Sequence, residues 1–215
     1  MKEIINEIKN YYRPYFKNRD WLLYSVLTTI IVLLILFDVF SKIGVYHAFS
    51  NVINGEIVLR QDYQYIAYKS LFGLMNIRLV FNTGAAFSAF SSGSSFANVF
   101  LPLLSLIMFI VLFYFYTVYF DFMPNMIKLI LVLMSSGCFG NMVDRFGRLS
   151  GNMYYKNGVI DFIDVTPMFP FFRAIFNVAD VCVVPSFEAT IIYGIYYLII
   201  YYLNKKNQNN IQNEA

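Results

Sequence analysis

Between Arg78 and Asp121 no residue carries a charge, and so long an uncharged stretch narrows the solvents a chain can fold in. A hydrocarbon core about 30 Å thick takes roughly 20 apolar residues of helix to cross. Within the stretch, 97–120 reads as one spanning helix, and three further apolar runs at 21–40, 126–143 and 177–203 meet or approach that length. Composition agrees, with 59% of the 215 residues hydrophobic and only 13% charged, where soluble domains carry roughly a quarter charged. Mean hydropathy is +0.57. The expected fold is therefore an all-α polytopic membrane protein with four transmembrane helices in one domain, 21–203. A cytoplasmic N-terminal tail, 1–20, and an Asn-rich, disordered cytoplasmic tail, 204–215, flank it.

The first run ends in Asp38 and not at a small-residue cleavage site, so it is expected to stay as a helix and not to be removed as a signal peptide. Arg13, Lys17 and Arg19 precede it and only Lys42 closely follows, which favours a cytoplasmic N terminus. Two polar inserts, 41–76 and 144–175, then face outward together. The first is rich in Tyr and contains Asn54-Gly55, which predicts strands, a turn or a short surface helix. The small, polar stretch 81–95 suits a re-entrant or interfacial segment, 121–125 a tight turn, and Pro185 a kink in the last span. No internal repeat is visible, which argues against an inverted-repeat transporter.

Much chemistry is excluded by what is missing. A net charge of +3 is too modest to argue for nucleic acid. The single His47 has no second ligand nearby, so zinc hydrolysis lacks support and no metal or cofactor is expected. Cys138 and Cys182 lie in apolar segments without a partnered His and read as packing residues. There is no Ser-His pair and no phosphate-binding Gly loop.

What remains is a set of acids and amides drawn to one membrane boundary. Asp38 and Lys42 are i,i+4 and can pair on one helix face; Asn141, Asp144 and Arg145 share another. Asn82 precedes the second span, Asp161 and Asp164 lie in the second insert, and Asn177 and Asp180 open the last span. Taken singly, each could be a solvated charge or, for Asn177, a helix cap. Together they come from four segments to one edge, where ionisable groups are costly and usually functional. Two carboxylates sharing a site cannot both ionise easily; one can then activate water while the other donates a proton.

Phe81-Asn82-Thr83-Gly84-Ala85-Ala86-Phe87, Gly140-Asn141-Met142-Val143-Asp144-Arg145, Gly158-Val159-Ile160-Asp161-Phe162 and Phe176-Asn177-Val178-Ala179-Asp180 resemble, in order and in place, the signature blocks of lipoprotein signal peptidase (signal peptidase II). Asp38 and Lys42 match that family's block at the end of its first span. The resemblance covers about 21–203. It implies cleavage of bacterial prolipoproteins before a Cys carrying diacylglycerol, at the extracytoplasmic face of the cell membrane. Prolipoprotein and membrane lipid would be the partners, and the enzyme would be monomeric. By position, Asp161 and Asp180 become the catalytic pair. Asn82, Gly84, Asn141, Arg145 and Asn177 would orient the substrate and the dyad, and Asp38, Lys42 and Asp144 would hold structure. The first insert resembles the family's small β-cradle with its surface helix. Val39 stands where the family usually has Gln, the segment 146–157 is longer than typical, and Val181, Pro185 and Ser186 also depart from its pattern. Glu188, expected to be buried in the last span, has no counterpart role.

Other classes of membrane protein fit these residues less well. A small transporter or proton relay would line a path across the bilayer with acids, yet all but Glu188 fall at one boundary. A membrane scaffold would not need three Asn at the depth of two Asp. Another type of intramembrane aspartic protease is disfavoured because no Gly-x-Gly-Asp occurs.

Overall fold

The computed structural model describes residues 16, 19–53, 56–59, 68–70, 73–82, 95–151, 154, 158–171 and 174–214, with only the course of the backbone in 50–59, 68–70, 95–98 and 207–214. Four helices are long and apolar enough to cross a membrane, in segments Trp21–Phe49, Val99–Val118, Asn125–Leu149 and Val178–Lys206. The chain is a multi-pass membrane protein. Its helices are α1 (Trp21–Phe49), α2 (Ser95–Val118), α3 (Asn125–Leu149) and α4 (Val178–Glu214).

α3 is central and packs against the other three helices. Its sequence explains the position. Ser135, Ser136, Gly137 and Gly140 are buried, and small residues let neighbouring backbones approach where lipid supplies no hydrophobic drive. A Cβ at Gly137 would sit 2.4 Å from Ala179 O, and one at Gly140 would sit 2.6 Å from Asp38 Oδ2. Large apolar side chains face outward instead, such as Leu33, Phe37 and Phe40 on α1 and Ile192, Ile195 and Leu198 on α4, as a lipid solvent requires. Toward the end that holds Trp21, Ile31, Tyr116, Phe120, Leu131 and Val132 form a core between α1, α2 and α3. There Arg19 pairs with Asp121 at 3.2 Å and its guanidinium lies over the rings of Phe16 and Tyr24 at 4.4 and 4.7 Å. This ties the start of α1 to the α2–α3 turn.

The opposite end carries the strands. β1 (Ser50–Ile53) and β2 (Glu56–Leu59) form an antiparallel pair across the two-residue connection Asn54-Gly55. β3 (Tyr68–Ser70), β4 (Met75–Asn82), β5 (Val159–Asp164) and β6 (Ile175–Phe176) form a second antiparallel sheet in that order. The strands expected of the first insert are thus present, and the second insert, read only as a polar stretch, completes the same sheet. The surface helix and the re-entrant reading of 81–95 fall largely on residues outside those described, as does Gly84.

Several boundaries differ from the sequence reading. α1 continues past Phe40 to Phe49 because nothing breaks it and because Tyr46 packs with Ile160 and Phe162 of β5. Asp38 and Lys42 are therefore inside a helix and not at its end. α3 runs on to Leu149, stopped where Gly151 takes a φ of 71° and donates its N–H to Arg148 O, so Asp144 belongs to the helix and not to the insert. α4 runs unbroken past Pro185 and continues to Glu214 through the Asn-rich stretch. Glu188 is exposed on α4, not buried: the small, buried positions facing α3 are Ala179, Cys182 and Ser186, and Glu188 lies on the other side.

Candidate active site

The site lies where β4, β5, α3 and the start of α4 meet. Gly158 opens β5 with a φ of 133°, and a Cβ there would lie 2.6 Å from Asn82 O; only glycine lets the two strands come this close. The β4–β5 register pairs Ile77 with Ile163 but Val80 with Asp161, a shift that marks a bulge. It brings Asn82, paired with Val159, diagonal to Asp161, and Asn82 Nδ2 donates to Asp161 Oδ2 at 3.0 Å.

Asn177 is the N-cap of α4. Its Oδ1 accepts from Asp180 N at 2.9 Å, and its own N–H donates to Asp180 Oδ2 at 3.2 Å, a reciprocal capping box with aspartate in the acidic position. The same wholly buried side chain donates through Nδ2 to Asp161 Oδ1 at 2.7 Å and reaches Asn141 Oδ1 at 3.3 Å. Asn141 Nδ2 in turn donates to Asp180 Oδ1 at 2.8 Å. Each carboxylate therefore receives hydrogen bonds on both oxygens, and Asn177 links the two.

Asp161 is pushed up to about 7, first by burial and next by the charge of Asp180, against the hydrogen bonds from Asn82 and Asn177, which favour its ionised form. A carboxyl that titrates near neutrality beside a second carboxylate can hold a shared proton. Arg145, one helical turn beyond Asn141, is close enough for its charge to act on both Asp180 and Asp161. Its Nη1 makes long contacts of 3.4 Å with Leu101 O and Ser105 Oγ of α2.

The i,i+4 pairing of Lys42 with Asp38 is present at 2.6 Å, and Asp144 lies 2.7 Å from the same ammonium. Asp164 is set apart from this group. It pairs with Arg78 Nε at 2.7 Å and accepts from the Thr166 hydroxyl. Sequence spacing anticipated neither the Arg78 pair nor the hydrogen bond from Ala179 N to Asp38 Oδ1 at 2.8 Å, since both join segments remote in sequence. Among the described residues no three His, Cys, Asp or Glu side chains form a metal-binding group.

A family model described as signal peptidase (SPase) II matches residues 30–204. The chain belongs to the signal peptidase II family. A lipoprotein signal peptidase of Mycoplasmoides gallisepticum (strain R(low / passage 15 / clone 2)) is 28% identical over 185 residues, which is 85% of this chain and 50% of that protein. The chain thus spans about half the length of that curated relative. Among solved structures, a bacterial membrane enzyme determined in meso at 2.3 Å is similar with a TM-score of 0.60 and 22% identity, over 80% of this chain and 88% of the other. A second, determined in meso at 1.9 Å, has a TM-score of 0.53 and 24% identity, over 79% and 92%. These two likenesses speak to the fold alone, and the four helices of this signal peptidase II chain share it.

Proposed function

We propose that this member of the signal peptidase II family is a membrane aspartic endopeptidase that removes the signal peptide from diacylglyceryl-modified prolipoproteins, cutting before the lipidated Cys. The observation that carries this reading is the Asp161–Asp180 pair, buried and coupled at one end of the helices, with Asn82, Asn141 and Asn177 on its carboxylates. In this mechanism the ionised carboxylate takes a proton from water as the hydroxide attacks the scissile carbonyl carbon. The protonated carboxyl gives its proton to the carbonyl oxygen. The carboxyl that took the water proton then gives it to the amide nitrogen while the other carboxylate takes a proton from a hydroxyl of the tetrahedral diol, so the C–N bond breaks and the one-proton dyad is restored.

The location suits such a substrate. Its scissile bond joins an apolar signal helix to a Cys whose acyl chains stay in the bilayer, each buried CH₂ adding about 0.8 kcal/mol of partitioning energy. A peptide drawn out of helical form at the lipid boundary needs partners for its backbone; Arg145, the three Asn and the segment around Gly84 are assigned that task. The domain is taken as 21–203, acting as a monomer in the bacterial cytoplasmic membrane with the dyad on the extracytoplasmic side.

The test is a paired assay of the purified protein on lipidated and unlipidated forms of one prolipoprotein. Cleavage of the lipidated form alone is expected, with Asp161→Asn and Asp180→Asn each reducing turnover by at least roughly 10²-fold. Equal cleavage of both forms would remove the lipoprotein-specific reading.

A further inference from the structure

Lys42 is wholly buried between two equally buried acids, Asp38 and Asp144. Burying three charges is costly, and an ion pair kept only for stability can often be replaced by apolar residues without loss. What sets this group apart is the backbone it touches. Asp38 Oδ1 accepts from Ala179 N at 2.8 Å, in the first turn of α4 and one residue before Asp180. Asp144 lies near the backbone of Ile160, one residue before Asp161, without forming a hydrogen bond to it. Of the two carboxylates that hold Lys42, Asp38 thus also holds the chain immediately ahead of Asp180, and Asp144 neighbours the chain immediately ahead of Asp161. Gly140 keeps the space open, since a Cβ there would lie 2.6 Å from Asp38 Oδ2.

We propose that Lys42, clamped by Asp38 and Asp144, is a positioning residue that ties the first turn of α4 to β5 and so sets both the spacing and the charge balance of the Asp161–Asp180 pair. The inference rests on the dyad reading above and extends it to three wholly buried residues outside the dyad and its amides. The charged groups that face Asp161 are Lys42 from α1, Arg145 from α3 and Asp180 from α4, with the neutral amides of Asn82 and Asn177, and Lys42 and Asp38 act on Asp180. Removing a cation from this set favours the protonated dyad; removing an anion favours the ionised one.

The experiment measures kcat and KM against pH for the purified full chain in detergent, with a diacylglyceryl-modified prolipoprotein as substrate and Tm recorded for every variant. Lys42→Met is expected to lower kcat by about 100-fold with KM within about threefold, and to move the acid limb of kcat/KM alkaline by roughly half a pH unit or more. Asp144→Asn and Asp38→Asn, nearly isosteric, are expected to move that limb the other way. Lys42→Arg, which keeps the charge, should hold the limb near its original position. Should Lys42→Met fail to fold, the two Asn variants still report the shift. Limbs that coincide in all folded variants, with losses that follow Tm alone, would overturn the proposal. Full turnover by Asp161→Asn or Asp180→Asn is a separate result that would remove the dyad reading itself, and the clamp with it.

Discussion

Asp161, the catalytic acid of the proposed reading, also weakens the fold that holds it. Its carboxyl titrates at about 7 because burial and the Asp180 charge disfavour ionisation more than two amide donors favour it. An unfolded Asp titrates near 3.9, so between about pH 4 and 7 the folded state binds more protons than the unfolded one. Stability from this group must then fall as pH rises through that window, and the loss is complete above it. The Asp161→Asn protein should therefore gain stability over the parent as pH rises from about 4 to 7, while losing peptidase activity. Thermal unfolding in detergent across this range checks it. A difference in Tm that stays constant with pH would mean Asp161 is ionised throughout.

At the scale of elements, α3 decides how closely the acids can meet. Gly137 and Gly140 sit one helical turn apart, and each faces atoms that a methyl group would strike: Ala179 O at 2.4 Å for the first, Asp38 Oδ2 at 2.6 Å for the second. A Gly→Ala change in an open helix is favourable by roughly 1 kcal/mol. Here the sign reverses, because Asp38 is held at the same time by Lys42 and Ala179 N and cannot yield without releasing one of them. Gly140→Ala is expected to lower stability by about 1–3 kcal/mol and to reduce activity more than stability alone explains. Gly44 has open space around its missing Cβ, so Gly44→Ala provides the matched control on α1 and should be neutral or stabilising. Activity retained in Gly140→Ala would show that α1 and α4 can separate without harm to the site.

For the whole molecule, the alternation of helices places both inserts at one end and the α2–α3 turn at the other, beside Arg19. Reporters fused after Asn54 and after Gly151 should therefore report the same side, and one at Asp121 the opposite side. With the basic residues ahead of α1 held inside, the first two are expected to read extracytoplasmic. Opposite readings at Asn54 and Gly151 would contradict the shared sheet. The same arrangement suits the proposed water-dependent reaction: Asp161 is on β5, outside the four spanning segments, and is buried among protein groups.

Sequence by itself determined the four spans, since a run of apolar residues has one low-energy environment whatever its neighbours. It also marked acids and amides that the structure brings together, because such groups are too costly in hydrocarbon to occur there without a partner. The i,i+4 pair Asp38–Lys42 and the Asn177–Asp180 cap were legible for a local reason: helical periodicity puts each pair on one face. Periodicity is silent about contacts between segments. Only the tertiary structure set Lys42 against Asp144, joined Ala179 N to Asp38 across 141 positions, and made the second insert strands of the first insert's sheet. The extensions of α1 to Phe49 and α3 to Leu149 follow from the same source. Polar residues end a helix that stands alone in lipid, but a neighbouring helix and sheet that satisfy them let it continue.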